Sequence, residues 1–103
     1  MKRVIDGLVY NTETAKLICS IGCNAYKSDF RWHETALYRT PKGRYFLAGK
    51  GNASSMWARR VCDAYGAGEG MRVLSSEEAR EYAEREDLGE EEMRDAGFEI
   101  ADA

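Results

Sequence analysis

Proline is nearly missing from this chain, with Pro41 the single residue in 103 positions, and histidine is represented by His33 alone. That scarcity, beside an aromatic content of 11%, excludes polyproline and low-complexity segments and fits a chain that packs a core. Cysteine is limited to Cys19, Cys23 and Cys62; three thiols cannot all pair within one chain, so no disulfide framework is expected. No run approaches the ~18 consecutive apolar residues of a membrane span. The opening Met1-Lys2-Arg3-Val4-Ile5-Asp6-Gly7 breaks its apolar run at once, unlike a secretory leader, so a cytoplasmic protein without membrane association is expected.

What is present is charge, and it is divided. Residues 1–74 carry twelve Lys and Arg against six Asp and Glu, a net of +6, whereas residues 75–103 carry three against twelve, a net of −9. A basic face draws phosphate, and an acidic face can occupy sites built for phosphate. A solvated acidic helix packed beside a basic sheet edge gives the same composition. With 44% hydrophobic residues, the length fits one α+β domain over residues 1–103, with little room for a deep enclosed active site.

Turn chemistry divides the chain into elements. Val4-Ile5, Asp6-Gly7 and Leu8-Val9-Tyr10 read as a tight hairpin, because Asp-Gly supplies the positive φ of a primed turn. Residues 11–15 read as a turn, and Lys16 to Cys23 as a strand with Leu17, Cys19, Ile21 and Cys23 on one core face. Thr35 to Ala48 predicts a second hairpin around Thr40-Pro41-Lys42-Gly43. A four-residue loop there sets Arg39 opposite Arg44, and a three-residue loop sets Thr40 there. A middle helix is expected over Met56–Tyr65, capped by serine and stopped by Gly66, with Trp57 and Val61 on one side and Arg59 and Arg60 on another. Residues 66–70 read as a mobile loop and Met71–Leu74 as the last strand. Ser75 and Glu78 form a capping box for a helix to about Asp87, with Ala79, Tyr82 and Ala83 as its apolar stripe. Asp87 and Glu90 suggest a second box, for a short helix to Ala96 that Gly97 ends, with Phe98 and Ile100 folding back. The expected architecture is a small antiparallel β-sheet with one middle helix and one or two acidic C-terminal helices.

Catalytic groups are sparse. Cys19, Cys23, Cys62 and His33 have the right types for zinc, but residues four apart on a strand lie ~13 Å apart, too far to share an ion. No serine sits in an activating motif, and His33 is the only imidazole. The acidic residues fall on exposed helices, where carboxylates keep ordinary acidity. No metal, cofactor or catalytic residue is expected, and binding rather than catalysis is the expected mode of action. Gly49-Lys50-Gly51 between a strand and a helix start invites an anion, although its order is wrong for the nucleotide-binding loop. Direct nucleic-acid binding would use Arg39, Lys42, Arg44, Lys50, Arg59 and Arg60 around Tyr38, Tyr45 and Trp57. Core packing is the competing task for those aromatics.

Residues 4–15, the hairpin from Glu34 to Leu47, and Leu74 to Glu84 together resemble a family of short proteins carried by bacterial phages and mobile elements. The resemblance implies an accessory protein of such an element, and anti-CRISPR proteins are its best-defined functional class; it carries over no active residue. The expected partner is then a host defence complex, such as a CRISPR effector, met in the bacterial cytoplasm. The expected contact is Glu77, Glu78, Glu81, Glu84, Glu91 and Glu92, competing by charge for a channel that takes nucleic acid. The alternative is a nucleic-acid-binding accessory protein that uses the basic hairpin and the Arg59-Arg60 helix.

Overall fold

A computed structural model describes residues 1–103. Asp6 and Gly7 both take positive φ, 51° and 76°. Such a turn matches the twist of paired strands, and it joins β1 (Lys2–Ile5) to β2 (Leu8–Asn11) as expected. The following turn closes where Ala15 N donates to Asn11 O at 3.0 Å and Glu13 N to Asn11 Oδ1 at 2.9 Å.

β3 (Lys16–Ile21) pairs with β4 (His33–Arg39), but the register jumps from Leu17 opposite Tyr38 to Cys19 opposite Leu37. Ile18 is the extra residue of a bulge. It packs against the core with Cys19 and Ile21, while Leu17 is 55% exposed and the strand ends before Cys23. The single core face expected from plain alternation is corrected accordingly.

β4 continues into β5 (Tyr45–Gly51) with Arg39 opposite Tyr45. Thr40 N donates to Arg44 O at 2.7 Å and Gly43 N to Thr40 O at 2.9 Å, with Gly43 at a φ of 87°. The three-residue loop with a left-handed glycine is therefore the one adopted, and Arg39 does not face Arg44.

Residues 56–65 hold the largest correction, because no middle helix forms. Ser55 caps one turn, its Oγ accepting from Trp57 N at 3.2 Å, and the chain then extends. β6 (Arg59–Val61) and β7 (Ala64–Gly66) pair around Cys62-Asp63, with Cys62 at a φ of 56°. Val61, Cys62, Asp63 and Tyr65 are weak helix formers, and the structure gives Trp57 a place on the sheet instead. The expected mobile loop is also corrected: β8 (Gly68–Leu74) begins inside it and pairs with β5 from Gly51↔Gly68 to Tyr45↔Leu74.

α1 (Ser76–Arg85) starts on the expected box, with Glu78 N donating to Ser75 Oγ at 3.1 Å and Ser75 N to Glu78 Oε1 at 3.0 Å. α2 (Glu90–Asp95) does not use Asp87, which takes a φ of 56° in the link between the helices. Gly89 precedes α2 instead, its N donating to Glu92 Oε1 at 3.2 Å.

The central sheet runs in the order β3-β4-β5-β8 and is covered on both faces. One face meets the N-terminal hairpin: Phe46 is fully buried between Tyr38, stacked at 5.2 Å, and Tyr10, edge-on at 5.4 Å. The other face carries Leu37, Leu47, Tyr45 and Leu74 against Ala79, Ala83, Met93, Ala96 and Phe98. Leu37 and Leu47 are wholly buried, each stabilising the fold by about 1.5–3 kcal/mol. Tyr45 stacks on Phe98 at 5.0 Å and donates its hydroxyl to Ala96 O at 2.6 Å, which fixes the end of α2 to the sheet.

Candidate functional site

Two oppositely charged surfaces emerge from this arrangement. α1 and α2 bury their alanine and methionine faces and turn Glu77, Glu78, Glu81, Glu84, Glu91 and Glu92 to solvent. These carboxylates differ in what else they do. Glu78 and Glu92 hold the amides that precede the two helices, and Glu84 pairs with Arg80 at 3.5 Å. Glu90 pairs with Arg94 at 2.9 Å, and Arg85 lies over the Tyr82 ring at 4.6 Å. Glu77, Glu81 and Glu91 carry no ion pair. The hydrogen bond from the Ser75 amide holds the pKa of the Glu78 carboxyl below its usual value, assisted by the Ser75 hydroxyl.

Glu86 and Glu92 reach toward β3. Glu86 Oε1 accepts from Gly22 N at 3.0 Å. Burial, reinforced by the charges of Glu86 and then Glu92, pushes the Cys19 thiol up to about 11. Such a thiol stays protonated and is a poor nucleophile. Cys62 lies exposed in the β6–β7 turn, and His33 Nδ1 lies 2.8 Å from Thr35 Oγ1. Nowhere do three His, Cys, Asp or Glu side chains come within reach of one metal ion, and no helix is long and apolar enough to cross a membrane.

The six cations singled out from the sequence do not form one surface. Arg39 packs over the Tyr45 ring at 5.8 Å and against Gly97, with its Nε buried and unpartnered. Lys42 and Arg44 border a separate hollow beside Leu8 and Val9. Arg60 is exposed on β6, where a strand replaces the expected helix. Tyr38, Tyr45 and Trp57 are taken by packing within the fold.

Lys50 and Arg59 meet at the Gly51 end of the sheet, where they are joined by Arg3 and Lys27 around an open cleft of about 590 Å³. Trp32 forms part of its wall and Glu69 is its one carboxylate. Arg3 reaches over from β1 to donate to Glu69 O at 3.4 Å. The cleft's loop wall is pinned by Asn52: its Nδ2 donates to Lys27 O at 2.9 Å and Asp29 O at 2.8 Å, and its backbone N to Trp32 O at 2.8 Å. Arg31 closes the loop from within, its side-chain hydrogen bonds holding the pKa of the Asp29 carboxyl below its usual value.

Gly49-Lys50-Gly51 is no anion loop. Gly49 and Gly51 pair with Gly70 and Gly68, and all four face the segment that crosses the sheet after Asn52. Trp57 lies over Gly49 and Gly70, and its Nε1 donates to the buried Thr35 Oγ1 at 2.7 Å. The signal was two G-x-G pairs, at 49–51 and 68–70, whose period of two puts each pair on one face of a strand. Arg3, Lys27 and Trp32 had no comparable signal, since two distant segments, β1 and the loop before β4, bring them together. No family model, curated protein or solved structure matches the chain.

Proposed function

We propose that this protein is an inhibitor that binds a bacterial defence complex, with its acidic helical layer seated in a channel built for nucleic acid. The observation that carries the reading is the outward layer of α1 and α2, where three arginines stand among eight carboxylates and two of those arginines are occupied within the layer by Glu84 and Glu90. Residues three or four apart on a helix lie ~5–6 Å from one another, so Glu77, Glu81 and Glu84 form a row of closely spaced negative charge. A row of this kind attracts lysine- and arginine-lined channels and competes with phosphates for them. A CRISPR effector, whose guide–target duplex lies in a positively charged channel, is the partner class that the resemblance to mobile-element proteins supports. The protein would act there by contact alone, as an anti-CRISPR protein of a phage or mobile element.

Glu77, Glu81 and Glu91 are the positions to test, because none of them pairs within the fold. Their joint replacement by Gln is expected to weaken binding to a purified effector at least tenfold and to flatten its salt dependence, with the fold unchanged by circular dichroism. Unchanged affinity in the triple variant would remove the acidic layer from the mechanism.

A further inference from the structure

We infer that the cleft at the Gly51 end of the sheet binds single-stranded nucleic acid, with Arg3, Lys27, Lys50 and Arg59 on the phosphates and the loop of residues 26–32 on the bases. This site is separate from the acidic layer and does not rest on the inhibitor reading.

Three observations converge on it. The first is charge: four cations from four separate segments share one open cleft of about 590 Å³ with a single carboxylate, Glu69. Lys50 makes only a long contact to Glu34, at 3.8 Å, and its side chain stays 58% exposed. The second is the aromatic content of the loop that gives Lys27 and Trp32 to the wall, since two more rings stand on that loop beside the cleft lining. Tyr26 and Phe30 are 87% and 73% exposed, on the same seven-residue loop as Trp32. Packing leaves these two rings unused, and cations interleaved with exposed aromatics are what a strand requires, since every base has a face to stack. The third is pre-organisation. The three hydrogen bonds from Asn52 and the Asp29–Arg31 pair hold the loop in place without using the Tyr26 or Phe30 ring, and Lys27 Nζ stands over the Trp32 ring at 5.7 Å.

A single strand fits better than a duplex. Duplex bases are read by a helix or ribbon entering a groove, whereas a concave cleft with stacking rings receives a flexible strand. Nor does the acidic layer forbid it. The N-terminus of α1 follows Leu74 at one end of β8 and the cleft lies at Gly68, six residue steps or about 20 Å away. For Glu77 and Glu78 that separation is roughly twice the distance over which exposed charges act at physiological salt, and Glu86, which comes nearer at the other end of α1, is held by the Gly22 amide.

The test is fluorescence anisotropy with a labelled oligothymidine of about 12 nucleotides, a length within the range of small strand-binding folds. The intact chain is expected to bind at low salt. Lys27→Ala with Arg59→Ala should weaken binding at least tenfold and reduce the slope of log K against log salt by about 1.4, since each phosphate contact on a single strand contributes about 0.7. Tyr26→Ala, at an exposed ring whose loss leaves the core intact, should weaken binding about fivefold with the salt slope unchanged, in line with a stacked base. Three results would overturn the assignment: no binding at low salt, equal binding by the double variant, or equal affinity for a blunt duplex or for polyglutamate. The variant with Gln at 77, 81 and 91 should bind the strand at least as well as the parent, so the two sites fail or succeed independently.

Discussion

The helix-facing side of the central sheet is built in two opposite ways. Toward the Leu74 end, large side chains rise from the sheet and small ones come down to meet them: Tyr45, Leu47, Leu37 and Leu74 against Ala79, Ala83 and Ala96. Toward the Gly68 end the relation is inverted. The sheet offers only Gly49, Gly51, Gly68 and Gly70, and the covering segment brings the large group, Trp57. Layer thickness is kept along the sheet because small residues mostly face large ones, the Tyr45–Phe98 stack at the end of α2 being the exception, and this is how interiors reach their packing density. Each half also carries one charged surface, the acidic layer over the first and the basic cleft beside the second.

The two halves should answer very differently to added volume. At Gly49 a new Cβ would lie 2.7 Å from Trp57 Nε1 and 2.9 Å from Thr35 Cα, and closer still to the Glu34 carbonyl. Backbone on a central strand cannot retreat, so Gly49→Ala should destabilise by about 3 kcal/mol, at the upper end of ordinary overpacking. Ala83→Leu adds three carbons instead of one, at a position that is fully buried where Gly49 is only partly so. There α1 is free to shift as a unit, and a cost of about 2 kcal/mol is expected. Urea titrations of both variants make the comparison, and a larger loss at Ala83 would show that the glycine surface is not closely packed.

The same contrast separates the elements that are legible in the sequence from those that are not. The first half follows short-range rules. Asp6-Gly7, Thr40–Gly43 and the Ser75–Glu78 box each state their geometry within four residues, and each forms. The second half depends on partners far along the chain. Four glycines suggest loops until β5 and β8 are aligned, and Ser55 followed by Met56-Trp57 suggests a helix until Trp57 has a surface to lie on. The acidic layer was legible for this reason, since helix periodicity places its carboxylates outward. The basic cleft was not, because Arg3, Lys27, Lys50 and Arg59 are joined only by tertiary structure.

A smaller effect sharpens the first half alone. Ser75→Ala leaves one amide of α1 without its side-chain acceptor and should cost about 1 kcal/mol. Glu78, the other member of the box, has its carboxyl held below its usual value of 4.5 in the folded chain. Its contribution is therefore present above that pH and is lost as pH falls through the lower folded value. Glu78→Gln should remove this part of the acid sensitivity, visible as a flatter stability profile below about pH 4.5. A profile unchanged from the parent would mean that the carboxylate does not hold the Ser75 amide in solution.

The smallest expected effect has the opposite sign and belongs to the second half. Cys62 takes a φ of 56° at the β6–β7 turn, a left-handed conformation that costs a side-chain-bearing residue roughly 1–2 kcal/mol. Glycine escapes that cost but loses more freedom on folding, so Cys62→Gly should stabilise by about 0.5 kcal/mol and raise the melting temperature by about 3 °C. The exposed thiol forms no contact that the change would remove from the core. Arg59 stands on β6, three residues before Cys62, and borders the cleft. A firmer turn should hold that cation in place, and strand affinity in this variant should match or exceed that of the parent. A drop in affinity at unchanged or higher stability would mean that β6 must move to admit the strand, and that the cleft, unlike the acidic layer, is shaped by what enters it.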